Sequence, residues 1–131
     1  PPQEGYTQTD FDTLLRHSDI ISIHAPLNEY TENLINADAF RRMKKSCILL
    51  NLGRGPIVNE RDLCDALKQD MISAAGLDVL CTEPMAPDSP LRRIKDSRRL
   101  LITPHIGWAS VEARTRLIKI VQTQIEEYFD I

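Results

Sequence analysis

Four short apolar segments, separated by helix-like stretches, constrain the fold of this 131-residue chain more than any other feature. They occupy residues 20–24, 47–52, 72–79 and 98–103, and Pro104 ends the last of them. Continuous apolar runs of this length, partly β-branched, are typical of parallel strands that are buried on both faces. We therefore expect four buried, parallel strands.

The stretches between these segments repeat hydrophobic residues at helical spacing. Helices are predicted over 11–17 with Asp10 or Thr9 as the cap, over 33–43 with a separate short turn as the alternative for its first residues, from Asn59 onward, and over 111–129 after Ser110. A turn is expected at 53–56 and a proline-rich loop at 83–90. Strands that alternate with helices predict an α/β fold with right-handed crossovers.

Charge and composition exclude several classes of function. The net charge of −3 gives no general attraction to nucleic acid, and the basic clusters at 41–45 and 92–99 lack interleaved aromatic residues. No apolar run approaches the roughly 20 residues of a membrane span, and the polar first residues indicate no signal peptide. Cys47, Cys64 and Cys81 lack metal-type spacing, which predicts reduced thiols in the cytoplasm and no metal site.

Charged and polar residues stand where each predicted strand ends. His24 follows the first strand, Arg54 the second, Asp78 the third with Glu83 shortly after it, and His105 the fourth. Because parallel strands bring their carboxyl ends to one edge, where open α/β sheets bind ligands, we expect these side chains to lie close together. An arginine that clamps a carboxylate, and a histidine that moves a proton beside a carboxylate, would suit a small anionic substrate.

Each of these residues also has a purely structural alternative. Arg54 could pair with a helix carboxylate, and Asp78 could cap the turn that follows it. Glu83, next to a proline, could be a solvated loop residue, and His105 could be a surface histidine without a role. His24 is interpreted as structural. Spacing alone therefore names no reaction.

Four stretches of the chain carry a family resemblance and cover nearly everything from about Leu14 onward. They are SDIISIHAPLNEYTENLIN, MKKSCILLNLGRGPIVNERDLCDAL, AAGLDVLCTEP and LLITPHIGWAS. In order and spacing they resemble the nucleotide-binding domain of the D-isomer-specific 2-hydroxyacid dehydrogenases. The resemblance implies a partial Rossmann-type, doubly wound parallel sheet, and Trp108 is similar to the glycerate dehydrogenase (hydroxypyruvate reductase) branch.

The resemblance also implies roles for the residues at the strand ends. Arg54 corresponds to the substrate-binding arginine, His105 to the general acid/base and Glu83 to its paired carboxylate. Asp78 corresponds to the residue that holds the nicotinamide carboxamide. The other positions that would line the cofactor are Ala25, Pro26, Thr31, Leu52, Gly53, Gly107 and Trp108, together with Arg54 and His105. In such enzymes NADH or NADPH passes a hydride to the keto carbon while the histidine protonates the carbonyl oxygen.

One departure from the family pattern is the missing phosphate loop, because the five glycines form no G-x-G-x-x-G. The strand that ends in the ribose-binding acidic residue is also missing. The resemblance therefore implies the second half of a cofactor domain, with 111–129 leading from the sheet region of about 1–110 toward a separate substrate domain. We expect the isolated chain to be inactive, to bind a dinucleotide weakly and to expose an apolar sheet edge that promotes self-association.

The expected activity is the reduction of a hydroxypyruvate- or glyoxylate-like 2-keto acid to a D-2-hydroxy acid with NAD or NADP as cofactor. The alternative is an NAD(H)-sensing, corepressor-type binding protein on the same fold. The resemblance further implies a homodimer for the full-length protein, and neither a nucleic-acid partner nor a membrane is expected. The choice between NAD and NADP depends on the missing ribose-binding residue.

Overall fold

A four-stranded parallel sheet forms the body of the protein. The computed structural model describes residues 5–96 and 98–130. The strands are β1 (Ile20–Ile23), β2 (Ile48–Asn51), β3 (Ala74–Leu77) and β4 (Leu100–Ile102), and they lie in the order β1-β2-β3-β4. Each neighbouring pair is parallel, which confirms the predicted α/β class and sheet.

Helices precede, connect or follow these strands. They are α1 (Phe11–His17), α2 (Ala37–Arg42), α3 (Glu60–Lys68) and α4 (Val111–Phe129), with short 3₁₀ turns at Gly55–Ile57 and Pro90–Arg93. Asp10, Asn59 and Ser110 each accept a hydrogen bond from the first turn of their helix, so the cap of α1 is Asp10.

Several elements are shorter than the sequence predicts. The helix expected over 33–43 begins only after its cap Asn36, because Ile35 forms an isolated parallel bridge with Val58. The strand expected over 72–79 shortens to β3, and the one over 98–103 shortens to β4. Before β4, the Arg99 backbone N–H donates to the Asp96 carbonyl, which is a turn contact and not a strand contact.

The hydrophobic core lies on one face of the sheet. Alternate strand residues, including Ile21 and Leu49, pack with Leu15, Phe40 and Leu63 from α1, α2 and α3. Among the described residues, these three helices pack on the same face of the sheet. Every second residue of β1, β2 and β3 points to that face and is buried.

The opposite face of the sheet is open, which corrects the expectation of strands buried on both faces. Ile20 is 60% exposed on the edge strand β1, and Leu101 is 62% exposed on β4. Apolar residues are therefore exposed on this face at both edge strands of the described sheet. Helix α4 does not cover the open face, since none of its residues is buried. Among the described residues, no helix is both long and apolar enough to cross a membrane.

Candidate active site

The residues at the carboxyl ends of the strands meet at one edge of the sheet. There they line a cavity of about 280 Å³ formed by His24, Leu52, Arg54, Asp78, His105, Gly107 and Trp108. Arg54 follows β2 and His105 follows β4, yet both border the same cavity because the parallel pairing aligns their strand ends. The predicted cationic residue and the predicted proton carrier are thus brought together.

His105 and Glu83 form the ion pair of this site. Nδ1 of His105 lies 2.9 Å from Oε2 of Glu83, and the two side chains are 42% and 39% exposed. The other oxygen, Oε1, accepts the backbone N–H of Leu80 at 2.9 Å. This N–H and then His105 lower the pKa of Glu83 below its ordinary value. Glu83 is therefore a bound carboxylate and not merely a solvated loop residue, and no described residue hydrogen bonds to Nε2 of His105.

The turn that carries His105 is held by Asp78. Oδ1 of Asp78 accepts the Ile106 N–H at 2.9 Å, Oδ2 accepts the Gly107 N–H at 2.8 Å, and the Thr103 hydroxyl donates to Oδ1. Burial favours a higher pKa for this carboxyl, which is 6% exposed, but these three donors outweigh burial and lower the pKa of Asp78. Asp78 thus organises the histidine turn, not the turn that follows its own strand.

The backbone of His105 adopts a left-handed conformation that few residues other than glycine favour. Its φ is 54°, and its carbonyl accepts the indole N–H of Trp108 at 2.8 Å. Next to it, a Cβ on Gly107 would stand 3.0 Å from Oδ2 of Asp78, so glycine lets this turn approach the carboxylate. The turn from His105 to Trp108 is therefore fixed by its own contacts and by those of Asp78.

Arg54 lies on a turn that is organised by Asn51, which is fully buried. The Asn51 side chain donates to the Arg54 carbonyl at 2.9 Å and accepts the Gly53 N–H at 3.1 Å. The Arg54 guanidinium donates to the Gly53 carbonyl, and within residues 5–96 and 98–130 it pairs with no carboxylate. The described residues therefore form no ion pair between Arg54 and a helix carboxylate, which was the structural alternative. The guanidinium remains available to an anion.

A second groove adjoins the Arg54 side of the cavity. Its volume is about 490 Å³, and it is lined by His24, Ala25, Pro26, Leu27, Leu52, Gly53 and Arg54. The two strand-end loops come together closely here, because a Cβ on Gly53 would lie 2.8 Å from the Ala25 carbonyl oxygen. Thr31 does not line this groove; its hydroxyl donates to the Pro26 carbonyl at 2.6 Å and so holds the loop.

A third cavity of about 530 Å³ also reaches His105 and Glu83. Apart from Asp78 and Thr103, its other lining residues are apolar: Leu80, Pro84, Met85, Ile102 and Pro104. It contains no cationic side chain besides His105, so an anionic ligand is better served by the cavity that Arg54 borders.

Sequence reasoning missed two residues that build the site, Asn51 and Thr103. Each is a polar residue at the end of an otherwise apolar strand, and this position is the signal that could have found them. His24 forms a hydrogen bond with the Ser22 hydroxyl at 2.8 Å. It also lines the cavity that Arg54 borders and the groove that adjoins it. The described part of the chain holds no group of three or more residues that could bind a metal ion.

The three cysteines are free thiols in different surroundings. Cys47 and Cys64 are buried, and Cys81 is exposed in the loop before Glu83. Partial desolvation and the nearby Glu60 carboxylate raise the pKa of Cys81 to about 11. A thiol with this pKa is a weak nucleophile at neutral pH.

Comparisons with known proteins agree with the fold and show the family of the chain. A family model described as D-isomer specific 2-hydroxyacid dehydrogenase, NAD binding domain, matches residues 2–107. The chain is 43% identical over 125 residues to a hydroxypyruvate reductase of Blautia hydrogenotrophica, covering 95% of this chain and 38% of that protein. It is 45% identical over 112 residues to a glyoxylate reductase of Thermofilum pendens, covering 86% of this chain and 32% of that protein.

Solved structures give the same picture. An acyclic imino acid reductase in complex with NADPH and D-Arg matches with a TM-score of 0.86 at 33% identity, covering 99% of this chain and 40% of the other. The chain thus spans about two fifths or less of the length of each of these three proteins. The parallel sheet is the predicted partial Rossmann-type fold, and the chain belongs to the D-isomer specific 2-hydroxyacid dehydrogenase family, within its NAD-binding domain.

Proposed function

We propose that this chain supplies the acid/base pair and the substrate arginine of an NAD(P)-dependent D-2-hydroxyacid dehydrogenase. The proposed substrate is a short 2-keto acid such as hydroxypyruvate or glyoxylate, which is reduced to the D-2-hydroxy acid. The observation that carries this proposal is that Arg54 and His105 border one cavity while His105 is paired with Glu83. The names of the relatives from Blautia and Thermofilum support the choice of substrate.

Arg54 would bind the carboxylate of the keto acid. Its guanidinium has no carboxylate partner among the described residues, so a substrate anion would not have to displace one. Two parallel N–H donors match the two oxygens of a carboxylate, which fixes the substrate in orientation as well as in place. The buried Asn51 holds the Arg54 backbone and so limits where this group can reach.

His105 would donate a proton to the carbonyl oxygen of the keto acid. Because Nδ1 is bonded to Glu83, Nε2 is the ring atom left to face a substrate. The Glu83 carboxylate accepts the hydrogen bond from Nδ1 and so holds the ring in one orientation for proton transfer from Nε2. The pair is partly exposed, so after the transfer His105 can take up a new proton from solvent.

The groove lined by Ala25, Pro26, Leu52 and Gly53 fits a nicotinamide cofactor. It lies at the carboxyl ends of parallel strands, its walls are backbone and apolar side chains, and the small residues let a flat ring come close. When bound, the cofactor supplies the hydride that reaches the keto carbon. Asp78 keeps one free acceptor position on Oδ2, through which we propose it holds the carboxamide.

The remaining proposals concern the whole protein. We propose that residues up to about 110 form the cofactor-binding region and that α4 lies outside it, which the match over 2–107 supports. We also propose a homodimer, which the exposed apolar residues of α4 and the open sheet face support. A cytoplasmic location is proposed from the three free cysteines.

The experiment that tests the enzyme proposal compares His105→Gln with the unaltered protein. The assay uses the longest natural polypeptide that contains this chain and follows NADH and NADPH oxidation with hydroxypyruvate, glyoxylate and pyruvate. We expect turnover that His105→Gln lowers by about 10²–10⁴-fold, as the loss of a general acid does. His17→Gln is the matched control, since His17 is an exposed histidine in the last turn of α1 and lines none of the cavities described.

Two outcomes would contradict the proposal. A loss below about threefold in His105→Gln would remove the acid role from this residue. No turnover with any cofactor and keto acid, together with tight NADH binding, would favour the NAD(H)-sensing, corepressor-type protein instead.

A further inference from the structure

Glu83 lies on a loop, although its carboxylate must meet His105 at hydrogen-bond distance. The loop runs from the end of β3 to the 3₁₀ turn at Pro90–Arg93 and contains no helix or strand. Glu83 reaches back within this loop to the Leu80 N–H. The position of Glu83 therefore depends on what fixes the backbone around Leu80 and Cys81.

Glu60, the first residue of α3, holds this loop at two points. Its Oε1 accepts the Cys81 backbone N–H at 2.8 Å, and its Oε2 accepts the hydroxyl of the buried Ser89 at 3.2 Å. One carboxylate thus binds the loop before Glu83 and again after it. Such charge-assisted hydrogen bonds are stronger than those between neutral groups, and the N-terminus of α3 favours a negative charge at this position.

Gly55, the residue after Arg54, packs against the peptide between Leu80 and Cys81. A Cβ on Gly55 would overlap the carbonyl group of Leu80 and the amide nitrogen of Cys81. The peptide between Leu80 and Cys81 is therefore enclosed by Gly55 and the Glu60 carboxylate. Since Gly55 follows Arg54 directly, this peptide links the turn of Arg54 to the loop of Glu83.

We propose that Glu60 is a positioning residue, which fixes the Leu80–Cys81 peptide and through it sets Glu83 against His105 at a defined place relative to Arg54. The catalytic importance of this placement rests on the proposed function, but the placement itself does not. The contacts run from Glu60 to Cys81, from Leu80 to Glu83 and from Glu83 to His105. Glu60 touches neither the cavity of Arg54 nor His105 directly.

The titration of the Glu83 carboxyl measures this placement without any assay of activity. The charged groups that face Glu83 are His105, which lowers its pKa, and Asp78, which raises it, while the Leu80 N–H has the largest effect. If the Leu80–Cys81 peptide loosens, that N–H no longer stays at 2.9 Å, and the pKa of Glu83 moves up toward 4.5. Carbon-13 NMR of the Glu83 side chain and the amide shift of Leu80 both report this titration.

The experiment compares Glu60→Ala and Glu60→Gln with the control Asp62→Ala in this chain. Asp62 lies in the same first turn of α3 and also accepts a backbone N–H, that of Ala37 at 2.8 Å, but it holds α2 and not the Glu83 loop. We expect Glu60→Ala to raise the pKa of Glu83 toward its ordinary value, because the Leu80 N–H bond is loosened, and Asp62→Ala to leave it in place. Glu60→Gln keeps the volume of the side chain without its charge. If Glu60→Ala does not fold, the pKa of Glu83 is compared in Glu60→Gln and Asp62→Ala instead.

In the longest natural polypeptide that contains this chain, we expect Glu60→Ala to lower kcat by about tenfold to a hundredfold, with KM for the cofactor unchanged. An unchanged Glu83 titration in a folded Glu60 variant, or an equal shift in Asp62→Ala, would overturn the proposal. If that polypeptide has no turnover at all, the proposed function fails, and the NMR comparison still decides the role of Glu60.

Discussion

Asp78 shows how one buried carboxylate can organise a site. Its two oxygens accept bonds from Thr103, Ile106 and Gly107, and these three donors keep it ionised although it is almost fully buried. A buried carboxylate that loses a donor is left without compensation, which costs about 1–3 kcal/mol. The conformation of the turn of His105 is therefore linked to the charge on this residue.

This link predicts that acid destabilises the fold through Asp78. Because the pKa of Asp78 in the folded chain lies below 3.8, its ionised form stabilises the fold above pH 3.8, and this contribution is lost as the pH falls through the folded-state pKa. Urea unfolding between about pH 2 and about pH 5 should show a free energy of unfolding that decreases below pH 3.8, and Asp78→Asn should reduce that slope.

Asp88→Asn serves as the control for this measurement. Asp88 is exposed in the same loop region and makes no side-chain hydrogen bond within the described residues. Its replacement should leave the acid slope unchanged. Equal slopes in Asp78→Asn and the unaltered chain would show that the three donors do not stabilise the charged form of Asp78.

At this scale the sequence predicts which polar residues meet at the sheet edge better than it predicts what holds them there. Arg54, Asp78 and His105 stand at strand ends, and a parallel sheet places strand ends together. The partners Asn51 and Thr103 depend on how closely the strand-end turns approach, which strand patterns do not encode. The role of Glu60 was likewise hidden, because its two contacts lie 21 and 29 residues along the chain.

Among the elements, the 3₁₀ turn at Gly55–Ile57 has the least freedom to change. It connects β2 to α3 and packs against the Leu80–Cys81 peptide, where a side chain on Gly55 has no room. Backbone cannot move aside as the end of a flexible side chain can. This turn therefore determines how closely the loop of Arg54 and the loop of Glu83 approach each other.

We expect Gly55→Ala to destabilise the fold by about 1–3 kcal/mol, as overpacking of a close contact does. Gly76→Ala is the matched control, because a Cβ there meets only the methyl end of Leu50 on the open face of the sheet. Thermal or urea unfolding of the two variants measures the difference. If Gly55→Ala costs no more than Gly76→Ala, the contact with Leu80 is not as close as described.

The elements themselves were largely readable from the sequence. Apolar runs and capping residues such as Asn59 and Ser110 locate the strands and helices to within a few residues. The prediction that the strands are buried on both faces was wrong. An apolar run indicates a strand whose side chains suit burial, but it does not show whether other elements pack on both faces of the sheet. Ile20 and Leu101 are residue types typical of a core, yet both are exposed to solvent.

For the molecule as a whole, the open sheet face and α4 each expose several large apolar residues. These residues include Ile20, Leu101, Leu117, Ile118 and Ile125. Apolar patches of this kind on a chain in water favour association, because contact removes them from solvent.

We therefore expect the 131-residue chain to sediment as a dimer or larger species at micromolar concentration. Replacing Ile20 and Leu101 together by lysine should shift it toward the monomer, since both side chains lie on the open face. Tyr30→Lys is the control, because Tyr30 is at least as exposed as these two residues but lies on the loop after β1. A monomer that melts cooperatively in the unaltered chain would contradict this expectation.

The strand that precedes His105 is also the least anchored of the four described strands. Within the described residues β4 pairs only with β3, over three residue pairs, and it has no buried residue. Strand ends of this kind open locally at a lower free energy than the core unfolds. Fraying of β4 would separate His105 from Glu83 while Arg54, which follows β2, stays in place. Under the proposed function, the site would then still hold an anion at moments when its histidine is unpaired.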